Sequence, residues 1–155
     1  MKITIISVGK SKEKYVSEGI KIYLNKLRHY CNLELIEIKD VETSGSQEQI
    51  KEREAVSISK FLKGDHTLVC LDENGKQFTS EEWAAILQQY QNRSVKNLIF
   101  FIGGAYGIHH SLLSKAELKL SLSKMTFNHE MVRIFFLEQL YRGLSILKNE
   151  KYHNP

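Results

Sequence analysis

Leu98-Ile99-Phe100-Phe101-Ile102-Gly103-Gly104-Ala105-Tyr106-Gly107 decides the fold class. An unbroken apolar run that stops at paired glycines suits a strand covered on both faces, and such strands belong to the parallel sheets of α/β proteins. In those sheets ligands bind beyond the carboxyl ends of the strands, which is where the glycines stand. Downstream, Leu118-Lys119-Leu120-Ser121-Leu122-Ser123-Lys124-Met125-Thr126-Phe127 reads as another strand running into a loop, and a helix then carries the chain to Tyr152-His153. Two strand ends and a C-terminal tail are expected to converge on one cleft.

The elements around this stretch alternate. Lys2 to Val8 reads as a first strand, followed by an amphipathic helix from Lys12 to Tyr30 with Tyr15, Ile20, Tyr23, Leu24 and Leu27 near helical spacing. Leu33 to Ile38 reads as a second strand, Val41 to Ser46 as a polar turn, and Gln47 to Leu62 as a charged helix with a thin apolar face of Ile50, Val56 and Phe61. A third strand ends at Leu71, and Glu73-Asn74-Gly75-Lys76 reads as a turn. Thr79 and Glu82 have capping-box spacing and open a helix with Trp83, Ile86, Leu87 and Tyr90 on one side. A short helix near Leu112 to Ala116 separates the last two strands. The closing helix, Glu130 to Lys148, is expected to bury Val132, Phe135, Phe136, Leu140, Leu144 and Leu147. This alternation predicts a mostly parallel sheet flanked by helices, with right-handed crossovers. The only proline is Pro155, and no repeat or linker marks a second domain.

Bulk properties agree with one globular domain. The chain has 155 residues, 42% hydrophobic and 26% charged, which excludes disordered and fibrous classes. A net charge of +4 favours an anionic partner without proving one. The two cysteines, Cys31 and Cys70, form neither a C-x-x-C pair nor a disulfide framework, which fits a reducing compartment. The apolar start, Met1 to Gly9, is too short for a signal peptide, and no segment approaches membrane-spanning length, so a cytoplasmic location is expected.

Several chemistries can be weighed from the residues alone. The glycine cluster lacks both the G-x-G-x-x-G dinucleotide pattern and the G-K-[ST] phosphate loop, so a tight turn after a strand is its plain reading. Glycine also lets a ligand approach the backbone closely. His109 and His110 are adjacent, and adjacent helical residues diverge, so no metal site is expected there. No nucleophile-elbow signature is present. Glu138 and Arg142 stand four apart and suit a surface ion pair, while Arg133 and Arg142 suit RNA phosphates. Tyr152 and His153 follow the last helical turn and read either as a frayed tail or as groups that close over a ligand. Lys10, Lys12, Lys14, Lys21, Lys26 and Arg28 make the first helix basic, a solvated face first and a phosphate track second.

In order and spacing over Met1 to His153, the chain resembles the RlmH-type ribosomal RNA large-subunit pseudouridine N3-methyltransferases of the SPOUT (α/β-knot) superfamily. The carriers are Val8-Gly9-Lys10, Leu71-Asp72 with Gly75-Lys76, Phe101 to Gly104 with Gly107, Leu120 to Thr126, His129, Arg133, Glu138-Gln139 with Tyr141-Arg142, and Tyr152-His153. Asn128 and Lys151 depart from the family, which has proline at the first position and often proline or alanine at the second. The resemblance implies a C-terminal deep trefoil knot, a homodimer, and S-adenosyl-L-methionine cradled by Leu71, Gly103, Gly104 and Leu122-Ser123-Lys124-Met125-Thr126-Phe127. It implies catalytic roles for His153, Tyr152, Arg142 and Glu138 and a large-subunit ribosomal RNA substrate within assembled ribosomes, with no metal and no membrane. A methyltransferase acting on another RNA site, or a catalytically silent RNA-binding assembly factor of the same fold, remains open at this level.

Overall fold

The computed structural model describes residues 1–155. Five strands form one sheet: β1 (Lys2–Val8), β2 (Asn32–Ile38), β3 (Thr67–Lys76), β4 (Asn97–Ile102) and β5 (Leu118–Leu120). Their order is β2-β1-β4-β3-β5, and every pairing is parallel. Helices α1 (Lys14–Leu27), α2 (Gln47–Ser59), α3 (Ser80–Asn92) and α4 (His110–Leu113) connect the strands, and α5 (Met131–Leu147) closes the chain.

The apolar run of β4 explains the layering. Leu98, Phe100 and Ile102 face the core under α1, α3 and α5, whereas Ile99 and Phe101 face the core under α2 and α4. Side chains alternate across a strand, so a centrally placed strand with helices on both sides must be apolar throughout. Connections that step one way along the sheet, β1 to β2 and β3 to β4, carry helices of one face, and those stepping back carry helices of the other. A constant crossover hand requires that alternation.

Tertiary packing moved several boundaries and faces. The segment expected as a turn, Glu73 to Lys76, continues β3 past a register shift, and Lys76 pairs with Leu120. β5 stops at Leu120, so Ser121 to Phe127 is loop. The short helix begins at His110 rather than Leu112. On α1, Tyr15 is exposed and Val16 takes the inward position. On α2, Val56 is exposed, and the buried line is Ile50, Glu54, Ala55 and Ile58, a helical stripe interrupted by a carboxylate. On α5, Phe135 is 41% exposed, Val132 and Leu147 are half-buried, and Arg133 and Leu137 are buried instead. The Thr79 and Glu82 capping box forms as its spacing predicts.

Candidate active site

Because all strands run one way, their carboxyl ends share one edge of the sheet. Beyond the ends of β3, β4 and β5 lies a cavity of about 790 Å³, within the ordinary range for small-molecule sites. Leu71, Ile102, Leu120, Leu122, Met125, Phe127 and Val132 give it apolar walls, and the Gly103 to Gly107 turn forms one edge. Of the residues singled out in the sequence, Leu71, Gly103, Gly104, Leu122, Ser123, Met125, Thr126 and Phe127 come together around this space, while Lys124 is exposed and does not line it. A second hollow of about 650 Å³, beside residues 39–42 and α2, has only Val41 and Val56 as apolar lining. Such a rim suits an aromatic base poorly.

The loop after β5 is held by its own polar groups. Ser121 Oγ donates to the Ser123 carbonyl at 2.9 Å, Ser123 Oγ accepts the Met125 N–H at 3.0 Å, and Thr126 Oγ1 donates to Glu73 on the β3 extension at 2.8 Å. The loop therefore arrives shaped before any ligand does. Asn128 caps the turn into α5: its Oδ1 accepts the Glu130 N–H at 2.8 Å and its carbonyl accepts the Val132 N–H at 3.0 Å. Asparagine thus fills a helix-entry role at this departure from the family pattern. The other departure, Lys151, is exposed in a turn.

Glycine at 103 is required by the turn itself. A Cβ there would lie 2.8 Å from Ile108 Cγ1 and 2.9 Å from the Gly107 carbonyl oxygen. Substitution would disturb the fold of the turn before it filled ligand space.

Glu138, Arg142, Tyr152 and His153 also come together, but away from the cavity. None of the four lines it, and Arg142 stands ten residues along α5 from Val132, about 15 Å at the rise of an α-helix. Arg142 pairs with Glu138. Tyr152 donates its hydroxyl to Glu138 at 3.0 Å, packs its ring on Tyr141 with centroids 4.6 Å apart, and lies 4.8 Å beneath the Arg142 guanidinium. Burial first, then the neighbouring Tyr23 hydroxyl and the Glu138 carboxylate, push the Tyr152 phenol well above its ordinary value, which keeps it protonated near neutrality. Arg142 stands 3.3 Å from Nδ1 of His153, and a guanidinium only donates, so Nδ1 accepts. Nε2 then carries the proton and donates to Glu81 of α3 at 2.8 Å. The tail is docked rather than frayed, and the expected surface ion pair is a half-buried network.

Three further expectations are corrected. Arg133, expected to meet phosphates, is 2% exposed. It donates to the Val8 carbonyl, to Ser11 Oγ at 3.1 Å and to Glu37 at 3.3 Å, tying α5 to the end of β1. His109 and His110 do not diverge: His109 caps α4 from an extended backbone and only His110 enters the helix, so their rings lie 4.2 Å apart beside Glu48. Ser111 N–H donates to His109 Nδ1 and Lys51 holds Glu48 at 2.8 Å, so protein partners account for that trio. Lys26, on the basic helix, lies over the rings of Tyr23, Tyr141 and Tyr152 at 5.2–5.6 Å. This aromatic platform is not apparent from the sequence, whereas buried Glu54 is missed although its i+4 spacing from Ile50 and to Ile58 places it on their stripe.

A family model described as "Predicted SPOUT methyltransferase" matches residues 1–153. The chain belongs to the SPOUT methyltransferases. Among curated members, proteins named ribosomal RNA large subunit methyltransferase H are similar along their full length. That of Acetivibrio thermocellus is 45% identical over 158 residues, covering 99% of both chains. That of Christiangramia forsetii is 44% identical over 156 residues, again 99% of both. That of Geotalea daltonii is 43% identical over 154 residues, covering 99% of this chain and all of the relative. No helix is long and apolar enough to cross a membrane.

Proposed function

We propose that this SPOUT methyltransferase transfers a methyl group from S-adenosyl-L-methionine to N3 of a pseudouridine in a hairpin loop of large-subunit ribosomal RNA. The observation that carries the reading is the cavity at the ends of β3, β4 and β5, apolar-walled and glycine-edged, in a chain with full-length relatives named as ribosomal RNA large subunit methyltransferases. Its residues fit the cofactor: Leu71, Leu122 and Phe127 offer surfaces for an adenine, and the backbone of residues 103–104 and 122–127 offers hydrogen-bonding groups to its edge and to ribose hydroxyls. The cofactor supplies a methyl group already activated on a sulfonium. N3 must give up its proton to be methylated, and His153 or solvent would take it. The protein's tasks are alignment and exclusion of water, which need no metal.

In this reading the tail groups act on the base. Tyr152, a neutral phenol on a held ring, stacks on or hydrogen-bonds it, Arg142 with Glu138 shapes the pocket, and His153 orients or accepts the N3 proton. Since Nδ1 of His153 accepts from Arg142, proton uptake requires that bond to open. The separation of tail and cavity within one chain supports a homodimer in which the tail of one subunit serves the cavity of the other. Met125 at 75% exposure and Phe135 at 41%, with the Phe127 and Phe135 rings 5.0 Å apart, supply an apolar face for that contact.

Two measurements test this. Large-subunit ribosomal RNA from a strain lacking the gene should be missing one N3-methylated pseudouridine that the restored gene returns. An unchanged nucleoside profile would remove the reading. Light scattering should give a dimeric mass for the wild type and a monomeric one for Phe135→Glu, with methylation lost in the variant. A monomeric wild type would remove the shared-site arrangement.

A further inference from the structure

Glu54 sits in the buried stripe of α2, between Ile50 and Ile58, and is 6% exposed. Its Oε2 accepts the Gly104 N–H at 3.3 Å, and a Cβ on Gly104 would overlap the carboxylate. Burial raises its carboxyl above the usual 4.5, Asp40 pushes the same way, and the Gly104 N–H opposes both. A carboxylate is an expensive occupant of a buried position, and the Gly104 N–H is the donor that offsets part of that cost. Glu54 does not line the cavity, whereas Gln47 and Lys51 of the same helix and Gly104 in front of it do.

Two consecutive glycines make the peptide between residues 103 and 104 easy to rotate. That unit is planar and trans, so turning its N–H toward Glu54 aims the Gly103 carbonyl the opposite way. We propose that Glu54 is a positioning residue for the cavity: by holding the Gly104 N–H from behind, its carboxylate fixes the Gly103–Gly107 turn in the orientation that a nucleoside-bearing ligand meets. The inference rests on the methyl-donor reading of the cavity.

Calorimetric titration with S-adenosylhomocysteine, together with thermal melts, tests it in the full-length protein. The wild type binds, Glu54→Ala binds roughly tenfold or more weakly, as loss of a charge-assisted hydrogen bond implies, and Glu54→Gln, which keeps an acceptor, stays within about threefold of wild type on the same scale. A purely structural role would lower the melting temperature of Glu54→Ala and leave the affinity of its folded form unchanged, which overturns the proposal. Equal weakening in Glu54→Gln and Glu54→Ala overturns the hydrogen-bond account. Should Glu54→Ala fail to fold, Glu54→Asp withdraws the acceptor by one methylene, and affinity equal to that of Glu54→Gln overturns the proposal. A wild type that does not bind the probe removes the cavity reading itself, an outcome distinct from binding that Glu54 does not influence.

Discussion

The cavity and the tail cluster are built from opposite materials. The cavity is made by backbone and apolar surface: strand ends, a glycine turn and a loop tied by its own serines. The tail cluster is made by polar side chains of α5 and of the tail beyond it, each satisfied by another: Glu138 and Arg142 on the helix, Tyr152 and His153 after it, with Glu81 from α3. The first arrangement suits holding a ligand at the sheet edge. The second suits placing donors, acceptors and a ring against a second molecule. Perturbing one should change affinity, and perturbing the other should change rate.

The largest expected effect comes from the tail. Deleting Tyr152 to Pro155 should lower methylation on the order of a hundredfold or more, with cofactor affinity nearly unchanged in a calorimetric titration. The melting temperature should fall only a few degrees, since Tyr152 packs on Tyr141 at the surface. Equal loss of affinity would erase the contrast. His153→Ala alone should lose rate near neutral pH and regain part of it at higher pH, where N3 deprotonates unaided. A flat pH profile would remove His153 from proton transfer.

Next in size, Leu122→Ala should weaken cofactor binding by roughly tenfold, the scale of one apolar side chain, and leave the rate at saturating cofactor close to wild type. A rate defect without an affinity defect would reverse the assignment of the two regions. Gly103→Ala should cost about 1–3 kcal/mol of stability by denaturant titration, since the new methyl has no room beside Ile108 and Gly107. Full stability would show that the turn yields more readily than its contacts indicate.

The smallest effect concerns the cavity end of α5. Glu130 accepts the N–H groups of Lys12 and Glu13, which hold its carboxyl below the ordinary 4.5. A lowered folded value stabilises the protein above 4.5, and that contribution is lost as pH falls through the folded value. Glu130→Gln should therefore melt slightly below wild type at neutral pH, and the gap should close in acid. A gap that widens in acid would contradict the sign.

By itself the sequence determined the sheet class and the strand-end location of the cavity, because those follow from period and punctuation. Leu98 to Ile102 is apolar at every position, and Gly103-Gly104 stops it. The same local logic placed the Thr79 and Glu82 cap. The sequence did not determine what charged residues do once helices pack. Arg133 reads as a phosphate contact and Glu54 as one charge among many on its helix, yet each is buried because a partner from a distant segment, the Val8 carbonyl or the Gly104 N–H, waits inside. The β3 extension reads as a turn and becomes strand because Lys76 finds Leu120 alongside. His109 and His110 meet because one stands outside the helix that the other enters. Hydrophobic period is a property of neighbours along the chain. Polar burial depends on hydrogen-bond partners that lie 50 residues away at Gly104 and 125 at Val8, and only the tertiary structure brings them within reach.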